Sequence, residues 1–99
     1  MAVTAPNVTH SVCWADFDAH TKYYSAVFDG TIGDYNVWMP AFKKFLEQKY
    51  HYMGLVRCTK RPDKADAQKY LDNMVSTARG ITLGDGAKAK VVETGWKYQ

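Results

Sequence analysis

Asp63-Lys64-Ala65-Asp66-Ala67-Gln68-Lys69-Tyr70-Leu71-Asp72-Asn73-Met74-Val75-Ser76-Thr77-Ala78-Arg79-Gly80 is the stretch that decides the fold. Ala67, Tyr70, Leu71, Met74, Val75 and Ala78 recur at i, i+3, i+4, i+7, i+8 and i+11, which is one face of an amphipathic helix. Asp63 is suited to cap its N-terminus, and Asp66 places negative charge in the first turn. Arg79 complements the dipole at the far end, and Gly80 stops the helix.

On the N-terminal side, Leu55 to Thr59 reads as a short strand carrying Cys58, and Lys60-Arg61-Pro62-Asp63 as a turn. A second helix is predicted before it. Pro40 suits the first turn, where its missing N–H is not needed, so this helix starts near Val37 to Met39. Trp38, Phe42, Phe45, Leu46 and Lys49 share its inner face, and Gly54 is the expected C′ residue.

Two strands come first. Thr9 to Phe17 alternates, with Val12 and Trp14 against Cys13, Ala15 and Phe17. Lys22 to Phe28 alternates again, with Tyr23, Ser25 and Val27 against Tyr24, Ala26 and Phe28. Asp18-Ala19-His20-Thr21 joins them as a hairpin, and Asp29-Gly30 ends the second strand. Beyond the decisive helix, Ile81 to Ala87 is a glycine-rich loop and Lys88 to Tyr98 a last alternating strand. The order is therefore β-β-α-β-α-β. This predicts an α+β two-layer sandwich, a four-stranded, mainly antiparallel sheet with two helices on one face. The other sheet face is then open.

The 99 residues form a single domain, with residues 1–8 expected to be a flexible leader. Apolar residues are 46% of the chain, which argues against bulk disorder. The net charge of +3 is spread out, with one short cluster at Lys60, Arg61 and Lys64. That is a solvated surface before it is a phosphate-binding stripe. No apolar run is long enough to span a bilayer. Met1 to His10 lacks a basic region followed by an apolar one, so no signal peptide is read there.

Aromatics are 14%, and seven of them are tyrosines. Trp14, Tyr24 (or Tyr23), Trp96 and Tyr98 could form a binding platform on the open sheet face; the plainer reading turns half of them into the core. Cys13 and Cys58 lie in mid-strand positions. They are either a disulfide between the first and third strands, the favoured reading, or two buried thiols. Neither has the ligand company of a zinc site or the cationic setting of a nucleophile. Asp16, Asp18 and His20 cluster at the hairpin, where such residues commonly bond the local backbone. No metal, cofactor or catalytic constellation is expected.

Tyr23-Tyr24-Ser25-Ala26-Val27-Phe28-Asp29, the helix containing Phe42 and Tyr50, Cys58 on its strand, and the ending Val91-Val92-Glu93-Thr94-Gly95-Trp96 form a pattern across most of the chain. In these residues the chain resembles small extracytoplasmic bacterial domains of unknown function. The resemblance implies an exported protein and a Cys13–Cys58 bridge. It implies no activity and no site residues.

The expectation is a non-enzymatic, secreted or periplasmic binding or protein-interaction module that uses an aromatic sheet face or dimerises through it. A small nucleic-acid-binding domain is the alternative, with Arg57, Lys60, Arg61 and Lys64 on one face beside exposed aromatics. An enzyme built on Asp16, Asp18 and His20 stands third.

Overall fold

The computed structural model describes residues 9–16, 20–30 and 33–98. The expected leader at 1–8, together with Phe17 and Asp18, lies outside the described residues. The elements are β1 (His10–Ala15), β2 (Thr21–Tyr24), β3 (Phe28–Asp29), α1 (Tyr35–Tyr50), β4 (Val56–Arg61), α2 (Lys64–Arg79) and β5 (Lys90–Glu93). The class is α+β, with two helices and a mixed five-stranded sheet.

β1 is central. It pairs antiparallel with β4 on one side and with β2 and β3 on the other, and β2 pairs parallel with β5. β2 and β3 are one strand position interrupted by a bulge. Trp14 faces Tyr24, but Ser11 faces Phe28, a register one residue longer on the second strand. Ser25 occupies the break. Its hydroxyl accepts the Cys13 N–H at 2.8 Å and donates to the Ala26 carbonyl at 2.8 Å. The extra residue reverses the alternation, because side chains follow a period of two. Tyr23 and Phe28 therefore share a face, where unbroken alternation separates them, and Tyr24 lies on the other.

The two helices lie on opposite faces, which corrects the two-layer expectation. Trp38, Phe42 and Leu46 of α1 pack with Cys13, Ala15, Tyr23, Phe28 and Tyr52. Leu71, Val75 and Ala78 of α2 pack with Val12 and Tyr24 on the reverse face. Strand order supplies the reason. β3, β4 and β5 all oppose β1. The chain crosses from β3 over β1 to β4 through α1, then returns across the whole sheet to β5 through α2. Two right-handed crossovers travelling in opposite directions must use opposite faces.

α2 follows its sequence pattern closely. Asp63 caps it by accepting the Ala65 N–H at 2.9 Å, and Gly80 ends it. α1 departs in two places. It begins at Tyr35, capped by Asp34, so Pro40 lies inside the helix rather than in its first turn. It ends at His51, whose φ of 58° makes it the left-handed residue expected at Gly54. Gly54 has another task, since a Cβ there would collide with the Tyr52 phenol. That phenol donates toward the Leu55 carbonyl at 2.7 Å and the Asp16 carbonyl at 3.1 Å, pinning the entry to β4. β4 also runs on to Arg61, through residues expected to turn.

Cys13 and Cys58 are register partners and are joined as a disulfide. The Asp16 N–H donates to Leu55 at 3.1 Å, which marks that pair as hydrogen-bonded. Alternation then makes Cys13–Cys58 a non-hydrogen-bonded pair, where opposed Cα atoms come closest. No helix among the described residues is long and apolar enough to cross a membrane.

Candidate interaction surface

With a helix on each face, the described residues leave no open aromatic sheet face. The four platform candidates are divided between the two sides. Trp14 is half-buried beside Tyr70 of α2, with ring centroids 6.0 Å apart. Tyr24 is fully buried beneath α2, and its phenol donates to the Met74 carbonyl at 3.4 Å. Burial pushes that phenol's pKa above its ordinary value. Trp96 lies across the sheet with the α1 core, 5.5 Å from Phe28 and 5.1 Å from Phe42. Tyr98 packs beside it at 6.4 Å. Composition alone could not make this division, because it depends on the bulge and on strand order.

The basic cluster divides in the same way. Lys60 stands over the rings of Trp38 and Tyr35 on the α1 side. Arg61 stacks over Tyr70 of α2 on the other side, 4.3 Å from the ring centroid. Lys64 opens α2 and borders a groove with His10, Asp29, Lys97 and Tyr98. At the hairpin, Asp16 lies 4.0 Å from Arg57, and His20 pairs with Asp85. The Ala87 N–H, and then His20, hold the Asp85 carboxyl below its ordinary range. No cluster of three metal-ligating side chains occurs among the described residues.

A different surface stands out, on the flank of α1 beside β4. A groove of about 320 Å³ runs between Asn36, Met39, Pro40 and Lys43 of α1 and Leu55 and Val56 of the sheet. Two consequences of sequence shape it. Pro40 has no N–H, so the Asn36 carbonyl lacks its normal helical donor on this flank. The chain between α1 and β4 exposes Met53 at 77% and Leu55 at 65%. Tyr35 and Val37, on either side of Asn36 in sequence, are the other exposed large apolar residues among the described residues.

β4 borders this groove and is the outermost strand of the sheet. Among the described residues its far edge has no partner. Because Leu55, Arg57, Thr59 and Arg61 direct their backbone groups to β1, Val56, Cys58 and Lys60 direct theirs outward. Sequence reading missed this site for two reasons. It ended β4 before Lys60, and it gave the α1 flank no importance. The run Met53-Gly54-Leu55-Val56 between two elements was the available signal.

No protein-family model, curated protein or solved structure matches this chain.

Proposed function

We propose that this domain is a non-enzymatic protein-interaction module, and that its contact surface is the β4 flank rather than an aromatic sheet face. One observation carries this reading. Solvent-exposed Leu55 lines an apolar groove that lies directly beside an unpaired strand edge. Lone exposed apolar residues need no explanation, but an apolar patch next to free backbone donors and acceptors is the layout of a peptide-binding edge. Among the described residues nothing comparable supports catalysis, because the titratable groups with altered pKa values there, Tyr24 and Asp85, do not meet: one is buried under α2 and the other exposed in a loop.

The extracytoplasmic setting belongs to the same proposal. A cross-strand disulfide in a chain of 99 residues fits an oxidising compartment, where such bridges persist. The nucleic-acid alternative has less support, since Arg57 and Arg61 point to one face of β4 and Lys60 to the other.

The test is a fluorescence screen of the folded, oxidised domain against an array of short peptides covering acidic, basic, neutral and apolar sequences. Retained peptides should lose their signal with Leu55→Asp and keep it with Lys90→Ala, a substitution on the opposite edge. An array with no retained peptide, or with binding indifferent to Leu55→Asp, would remove the reading.

A further inference from the structure

Backbone geometry, side-chain alternation and charge on the β4 flank together specify a partner. We propose that β4 takes up an extended, acidic peptide segment as an additional strand, hydrogen-bonded to Val56, Cys58 and Lys60. The proposal rests on the interaction reading above and names its partner class.

Charge is the first argument. α1 and β4 together carry six Lys or Arg and one carboxylate, Glu47. The rest of the chain carries seven and nine. The modest net charge of the protein therefore hides a basic excess on these two elements, of which Lys43 lines the groove, Arg57, Lys60 and Arg61 lie on β4, and Lys49 stands elsewhere, over Phe45 and Tyr50. Lys43, Lys60 and Arg61 make no ion pair among the described residues, and Arg57 has only the 4.0 Å approach of Asp16.

Alternation is the second argument. Val56, Cys58 and Lys60 turn toward α1, while Arg57 and Arg61 turn toward the α2 side. A strand added to this edge would follow the same period of two. Its side chains on the α1 side would meet Met39, Pro40 and Val56, and those on the other side would meet the two arginines. The fitting sequence thus alternates apolar residues with Asp or Glu. A second copy of this chain fits poorly. Antiparallel self-pairing through Val56, Cys58 and Lys60 would bring two basic strands together, with Arg57 opposite Arg61 when Thr59 faces its own copy, and like charges placed opposite each other are destabilising. A nucleic acid would satisfy the cations and leave the apolar groove and the outward backbone groups unused.

The experiment measures fluorescence anisotropy of a labelled ten-residue peptide alternating Val or Leu with Glu, against the oxidised domain at low and moderate salt. Three controls share its composition or length: a block isomer with all Glu at one end, a Lys-for-Glu analogue, and a copy N-methylated at alternate residues on its pairing edge. The alternating acidic peptide should bind, with each control weaker by on the order of tenfold or more. Arg57→Gln should weaken binding modestly, because Arg57 faces the acidic side chains. Lys60→Pro should weaken it further, because it removes an outward N–H that β1 does not use. Circular dichroism checks that both variants remain folded, and the N-methylated peptide tests pairing without altering the protein.

Equal binding of the block isomer, or no effect of N-methylation, would overturn strand addition. Tighter binding of a ten-nucleotide single strand than of the acidic peptide would overturn the partner class. A concentration-dependent dimer lost in Lys60→Pro would assign the edge to a second copy instead. Peptides retained in the array through Leu55 but without acidic preference would overturn this proposal and leave the interaction reading standing.

Discussion

α1 and α2 are both 16 residues long, yet they close the two faces of the sheet by different means. α1 buries three large side chains, Trp38, Phe42 and Leu46, against a mostly aromatic surface that includes Tyr23, Phe28 and Tyr52. α2 buries Ala67, Leu71, Val75 and Ala78, with Tyr24 as the large residue beneath it. Packing on the α1 side is concentrated in a few side chains, while on the α2 side it is spread along a regular stripe. The concentrated face is also the one whose flank stays open at β4. Phe42→Ala should therefore cost more than Leu71→Ala. We expect about 3–5 kcal/mol for the former and roughly 2 for the latter, read from denaturant midpoints. Equal losses would show that the two faces share the load and would break the comparison.

The disulfide sharpens the same contrast, since both cysteines belong to the α1 face. It closes a loop of 45 residues that contains β2, β3 and α1 and leaves α2 outside. Chain entropy assigns it about 4 kcal/mol, obtained from constraint on the unfolded chain. Replacing both cysteines with Ala should lower the melting temperature by about 15–30 °C, given about 4–8 °C per kcal/mol at this size. A loss of only a few degrees would mean that the aromatic packing alone holds this side.

The two helices also differed in how far the sequence disclosed them. α2 was legible to the residue, because period, cap and terminating glycine agreed at every position. α1 was legible as a helix, but its ends were not. A proline six residues in reads as a start signal when local rules are applied alone, whereas tertiary packing of Trp38 and Phe42 tolerates it inside. His51 took the left-handed position, and Gly54 was spared for the Tyr52 ring. The face assignment failed at Ser25, because a bulge leaves no mark in an alternating pattern and reverses everything after it. The β4 flank was invisible for a related reason. Whether a strand is an edge is a property of the assembled sheet, and no local pattern encodes it.

Gly54 offers a mid-sized probe of the α1 side. Gly54→Ala should destabilise by about 1–3 kcal/mol, since the new methyl must displace the Tyr52 phenol that pins Leu55 and Asp16. Adding Tyr52→Phe should then cost less than it does alone, because the two changes act on one contact. Strict additivity of the pair in a double-mutant cycle would contradict this account of Gly54. The matching probe on the α2 side is its cap. Asp63→Ala should cost about 1 kcal/mol and leave the α1 face untouched.

The smallest effect expected lies at the opposite edge of the sheet from β4. There the loop between α2 and β5 is tied down by a bridge between Thr82 and Lys88 and by Asp85, which accepts the Ala87 N–H at 3.0 Å and pairs with His20. Those contacts hold the Asp85 carboxyl below the ordinary aspartate range, so the folded loop favours its charged form. The sign follows directly. The contribution is complete above the unfolded pKa and is lost as pH falls through the lower, folded value. Because the carboxyl is fully exposed, the loss should appear as local loosening of this loop and not as global unfolding. Amide exchange at Ala87, corrected for intrinsic rates, should lose protection as the pH drops below about 4, the ordinary carboxylate range. Asp85→Asn should remove that acid-dependent step and leave exchange in β1 unchanged. If protection at Ala87 instead followed β1 through the acid range, this edge would be part of the global core, and β4 would no longer be the exceptional edge of the sheet.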